Sequence, residues 1–207
     1  NRSAFRRLRE ERKDVYEKLA LSSPTPVPLD WCLPQAIDFF VGNDAVVYEN
    51  HLYIPSEGGE FKVNLNDWES GLIKEELAHG AVAWLRNLDR KKWSLEIPYE
   101  VDGIATPMFP DLLVVRADAH GYIFDVLEPH DSSRKDNYPK AVGLAKFADK
   151  HGDRFGRIQL IRRVHKFGRD IFYRLDMNKS HIRNKVRGVT SNAELDRIFE
   201  EEAKMEE

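Results

Sequence analysis

Cysteine occurs once in this chain, as Cys32. That excludes an internal disulfide and any cysteine-rich zinc site, and it points to a reducing, cytoplasmic setting. Long apolar runs are missing as well: none approaches the roughly 18 residues a membrane-spanning helix needs, so no membrane partner is expected. The opening stretch NRSAFRRLREERKDVYEKLA has no apolar centre and does not read as a signal peptide. A glycine-rich phosphate loop followed by Lys-Ser or Lys-Thr is also absent, so this segment does not bind ATP in the P-loop manner. There is no initiator Met, and the abrupt start on Asn1 suggests a piece of a longer polypeptide.

What is present is a globular composition, 42% hydrophobic and 32% charged over 207 residues. That is enough for one large α/β domain or for a core with appended segments. The net charge of −3 conceals an asymmetry. Between Arg157 and Arg187 ten basic residues stand against Asp170 and Asp176, a local +8, so the remainder carries −11. Arg157, Arg162, Arg163, Lys166 and Arg169 lead this segment and are candidate contacts for a polyanion such as DNA. The plain alternative is a solvated surface with scattered charges.

Residues 3 to 20 read as a charged helix with a thin apolar stripe, and 22 to 34 as a proline-rich linker or packing arm. VVYENHLYIP, Gly58-Gly59 and FKVNL read as a small hairpin or meander, completing an N-terminal extension over 1 to 65. A helix is expected from Asn66-Asp67 to about His79, with Glu69 and Glu76 on its apolar face. A carboxylate there needs a partner: Glu69 can serve the helix dipole, and Glu76 can pair with a buried Arg. Strands are expected over 93 to 101, 111 to 115 and 122 to 128, with a turn at Ala119-His120-Gly121. A helix over 139 to 155 follows, with Pro139 in its first turn, Gly152 as its cap, and Gly143 and Ala145 permitting close approach to the sheet. Two strands around Phe167-Gly168 complete a main domain over 66 to 178. Helices near 180 to 187 and from 192, with an acidic tail, form a C-terminal part over 179 to 207. The order of elements predicts an α/β fold, a central mixed β-sheet flanked by helices.

Hydrolysis of a phosphodiester at neutral pH needs charge neutralisation and a hydroxide, which Mg²⁺ or Mn²⁺ held by oxygen ligands can supply. Asp111 at the start of one expected strand and Glu128 at the end of the next can lie side by side, with Glu69 from the helix and the Pro129 carbonyl completing the set. Asp125 reads as a supporting or edge residue rather than a ligand. His151 reads as a helix cap, and His79 and His120 as turn or surface residues. Trp84 and Trp93 read as core, and Ser132-Ser133 beside His130 is too local and hydrophilic for a serine hydrolase.

Pro110-Asp111, then Glu128-Pro129-His130, with a glutamate on an upstream helix, resembles the PD-(D/E)XK nuclease superfamily, whose fold is that of restriction endonucleases. WE (68, 69), VAWLRN (82 to 87), Trp93, IPY (97 to 99), FPD (109 to 111), EPH (128 to 130) and KAVGLAKFADKHGDRFGRI (140 to 158) carry the resemblance further. Together they resemble the C-terminal nuclease-like domain of bacterial type III restriction-type helicases and related phage-defence proteins, over about 66 to 165. The resemblance implies DNA cleavage with Mg²⁺ or Mn²⁺ through Asp111, Glu128 and Glu69, in a bacterial cytoplasmic protein whose parent polypeptide also carries a helicase or ATPase region; an oligomer is compatible with it. The chain departs from the pattern at His130, where lysine is expected. Either His130 itself orients or deprotonates water, or Lys140 on the next helix supplies the cation. The alternative is a degenerate module that holds DNA, or docks a protein, without cutting.

Overall fold

The computed structural model describes residues 31, 33–34, 37, 46–53, 61–131 and 133–205. The expected helix over 3 to 20, most of the proline-rich stretch, Cys32, the Gly58-Gly59 turn and Ser132 lie outside the described residues. The strands are β1 (Val46–Tyr48), β2 (Phe61–Val63), β3 (Ala81–Arg86), β4 (Ile97–Val101), β5 (Ile104–Met108), β6 (Leu112–Asp118), β7 (Gly121–Pro129), β8 (Ile158–Lys166) and β9 (Arg169–Asp176). The helices are α1 (Asp67–Ala78), α2 (Asn137–His151), α3 (Ser180–Arg187) and α4 (Asn192–Glu202). The fold is α/β. A central five-stranded sheet has the order β3-β6-β7-β8-β9, with β7 and β8 parallel and β8 and β9 antiparallel, hence mixed. β1 with β2, and β4 with β5, form two-stranded antiparallel ribbons. No helix among the described residues is long and apolar enough to cross a membrane.

Two compact units divide the chain: residues up to Leu95 with Leu113–Phe124, and Glu96–Leu112 with everything from Asp125 onward. In the first unit, α1 begins with a reciprocal capping box. The Asn66 side chain accepts from the Glu69 amide at 2.9 Å, and the Asn66 amide donates to Glu69 Oε2 at 2.8 Å. The helix ends at Gly80, whose φ of +88° suits a residue without a Cβ. Leu72 and Ile73 are buried beside Glu69 and Glu76, as the helical spacing predicts. Each carboxylate has its cation: Arg86 Nη2 lies 2.9 Å from Glu69 Oε1, and Arg116 Nη2 lies 2.7 Å from Glu76 Oε2. Arg116 also donates to the His79 carbonyl, satisfying an acceptor left over at the helix end.

β3 was not expected as a strand, yet Ala83, Trp84 and Leu85 are almost wholly buried in it. The strand expected from Trp93 starts only at Ile97. The Asn87 side chain takes both backbone groups of Leu95, donating to its carbonyl and accepting from its amide, and so holds that segment as a loop. Trp93 is core as expected: the Trp31 indole donates to its carbonyl at 2.7 Å, and Trp31 packs edge-on to Phe124.

In the second unit, α2 packs on β4. Gly143 is where they meet: a Cβ there would sit 2.5 Å from Tyr99 Cβ and 3.1 Å from the Pro98 carbonyl oxygen. The close approach expected of Gly143 is thus made to the β4 ribbon. Gly152 does follow α2, but at an ordinary φ of −61°. Its requirement is space, because a Cβ would meet Asn178 Oδ1 at 2.5 Å. The Asn178 amide in turn donates to the carbonyls of Gly152, Phe155 and Gly156. His151, expected as a helix cap, is the last residue of α2 and is buried against Phe147, and burial holds its pKa below the ordinary imidazole value. β8 and β9 form the expected hairpin about Phe167-Gly168. Beyond α4 the chain returns to β9, where Arg174 and Lys204 exchange two backbone hydrogen bonds.

The Gly143 contact predicts that Gly143→Ala forces α2 off the β4 ribbon and lowers unfolding stability by about 1–3 kcal/mol. Urea denaturation checks it.

Candidate active site

Asp111 precedes β6 and Glu128 lies near the end of β7. The structure brings them together in the second unit, with the Asp111 amide donating to Glu128 Oε2 at 3.3 Å. Glu128 is 8% exposed. Burial, and then the Asp111 carboxylate beside it, push its pKa well above the ordinary glutamate range, against the opposing pull of Lys140 and Arg134. Pro129 is the last residue of β7.

Lys140 sits in the first turn of α2, where its ammonium pairs with Asp136 at 3.2 Å. Asp136 stands at the helix N-cap but makes no capping bond. Its carboxylate is directed instead to Lys140 and to the Tyr99 hydroxyl, which donates to it at 3.5 Å. Burial raises the Tyr99 pKa, and the neighbouring charges of Lys140, Asp136 and Glu128 act on it as well. Asp136 and Arg134 were not singled out from the sequence, and Tyr99 entered only as the last residue of the IPY stretch. The i,i+4 spacing of Asp136 and Lys140 was the available signal for one of them.

His130 departs from the role expected of it. Its ring is buried, 4% exposed, and stacks on Phe199 of α4 with centroids 6.0 Å apart and planes at 8°. Arg162 Nη2 lies 3.4 Å from His130 Nε2, and the Arg162 guanidinium sits 4.0 Å over the Phe199 ring while pairing with Asp196. Burial first, then the charges of Arg162 and Lys140, lower the His130 pKa to about 4. At neutral pH it is an uncharged acceptor locked to the C-terminal helix.

Glu69, expected as a further metal ligand, belongs to the first unit, where both of its oxygens are taken up by the Asn66 amide and Arg86. Asp125, expected as a supporting or edge residue and not a ligand, is fully buried, and both of its oxygens are engaged by Arg157 through the backbone amide, Nε and Nη2. Among the described residues no group of three or more His, Cys, Asp or Glu side chains is placed to hold a metal ion. Asp111 and Glu128 form a pair of adjacent carboxylates, with Pro129 following Glu128 in the chain.

The basic segment is largely matched by acids. Arg157 pairs with Asp125, Arg162 with Asp196, Arg163 with Asp170, Arg183 and Arg187 with Asp149, and Lys185 with Glu201 and Glu202. Lys166 and Arg169 remain at the exposed β8–β9 tip. The charge asymmetry of the sequence is thus partly an internal pairing of the last two helices with the rest of the unit.

The chain belongs to the YagJ family, whose model matches residues 49–206. It is similar to Protein YagJ of Escherichia coli (strain K12), 29% identical over 167 residues, a match spanning 76% of this chain and 68% of that protein. No solved structure matches it.

A histidine whose pKa falls on folding takes up its proton more readily in the unfolded chain, so stability drops as pH falls from about 6.5 to about 4 and is flat below. Glu128 acts in the opposite sense, favouring the fold at acid pH and less so as pH rises through its elevated pKa. The two are separated by comparing wild type with His130→Gln in EDTA. The stability of the wild type relative to the variant should fall by up to about 3 kcal/mol between pH 7 and pH 4. Urea midpoints at the two pH values measure this.

Proposed function

We propose that this chain is a metal-dependent DNA endonuclease whose centre is the Asp111–Glu128 pair. The observation that carries the reading is the placement of Glu128: a buried carboxylate set against a second carboxylate, the reverse of what stability alone selects. Such a pair is relieved by a divalent cation, and Asp111, Glu128 and the Pro129 carbonyl are the oxygens that would hold Mg²⁺ or Mn²⁺. The ion would supply neutralisation of the scissile phosphate and a hydroxide at neutral pH.

Lys140 takes the part of the missing lysine. Its charge acts on Glu128, and Asp136 fixes it; its ammonium is available to stabilise negative charge developing on the phosphate. Tyr99 steadies Asp136 in turn. His130, neutral and packed on Phe199, shapes the floor beside the pair instead of moving a proton. A helicase or ATPase region in the parent polypeptide is supported by the sequence resemblance alone, and a cytoplasmic setting by the single cysteine.

The buried, uncharged state of His130 favours a second reading, a DNA-holding module that has lost cleavage. Supercoiled plasmid with Mg²⁺ or Mn²⁺ separates the two. The nuclease reading expects metal-dependent nicking that falls about 10²-fold or more in Asp111→Asn and in Lys140→Ala. Absence of nicking by the wild type, with salt-sensitive DNA binding retained, sinks it in favour of the module. A stability measurement accompanies this: in EDTA, Glu128→Gln removes the group whose ionisation the fold opposes, so its Tm relative to wild type should rise by about 2–4 °C as the pH is raised. A lower Tm would mean that Glu128 is a structural residue.

A further inference from the structure

The β8–β9 tip is built against its own local preferences. Lys166 and Arg169 close a two-residue turn formed by Phe167 and Gly168, both at positive φ, 55° and 73°. That is the hairpin turn that selects Asn, Asp or Gly at its first position, because a bulky side chain is strained there. Phe167 occupies it and is 94% exposed. Its two flanking residues, directly opposite one another across the strands, are both cations, a pairing that disfavours the hairpin. The next pair inward adds no negative charge to the tip, since Asp170 is taken up by Arg163 at 3.2 Å and His165 at 2.9 Å. Strain, an exposed aromatic and facing like charges coincide within four residues, and such coincidences gather at functional sites.

We propose that this tip is a single-stranded nucleic-acid contact, in which Phe167 stacks on an unpaired base while Lys166 and Arg169 meet the flanking phosphates. An aromatic ring accepts any base face, and two cations beside it match the spacing-tolerant charge of the backbone. One phenyl ring is a weak anchor for a bilayer, where stable attachment takes two signals. The inference rests on the reading that the chain handles DNA, but not on the reading that it cuts it.

Fluorescence anisotropy with labelled dT20 at low salt, in EDTA so that no cleavage intervenes, tests the tip. Phe167→Asn suits the turn and should raise Tm while weakening dT20 binding about tenfold. Phe167→Trp should retain affinity and show tryptophan quenching on binding. Lys166→Ala and Arg169→Ala should each reduce the salt dependence by about one counterion. Equal dT20 affinity in wild type and Phe167→Asn overturns the proposal while leaving plasmid nicking untouched. Preference for phosphatidylserine vesicles over dT20, lost in Phe167→Asn, overturns it in favour of a membrane surface. Phe167-dependent binding without any nicking supports the tip and removes the nuclease.

Discussion

A carboxylate taken out of water must be met by a cation, by hydrogen-bond donors or by a proton. The described residues satisfy this rule by pairing acids with arginines. Glu69 has Arg86, Glu76 has Arg116, and Asp125 has three donors from Arg157. Each pair joins segments distant in sequence, so the arginines help fix where helices and strands meet. Glu128 stands apart. The bond it accepts comes from the amide of another acidic residue, and that residue's charge opposes its own. Against a background of well-matched acids, this mismatch marks the candidate site, where either a proton on Glu128 or a bound cation can offset the cost.

The elements with a strong local signal were legible in the sequence. The N-cap pair Asn66-Asp67 announced α1, the apolar face of α1 came with its two glutamates, and Phe167-Gly168 marked the β8–β9 turn. β3 was missed because AVAWLR carries no alternation. It is buried on nearly all sides, and periodicity fails there. β5 was missed because Pro107 makes IATPM look like a loop and Ile104 and Ala105 are exposed; its pairing with β4 is what makes it a strand. The late start of β4 depended on the Asn87 side chain, a contact across eight residues that no propensity encodes.

The site was legible in part. Asp111 and Glu128 were expected to meet and do. The fate of His130 was not readable, because it depends on Phe199 and Asp196, residues from a helix that the sequence separated into a C-terminal part. The pairing within the basic segment was hidden for the same reason: a charge count cannot show that neutralising acids lie on α2 and α4. Arg162 illustrates both points, for its guanidinium joins the histidine, the phenylalanine and the aspartate in one cluster.

The return of the chain to β9 bears on how the molecule behaves in a crowded solution. β9 is the outer strand of the sheet, and an outer strand offers a row of backbone groups to any passing chain. Lys204 occupies that row at Arg174 with one donated and one accepted bond. That bridge covers part of the row, so the end of the chain narrows the edge open to another strand and acts against edge-to-edge aggregation.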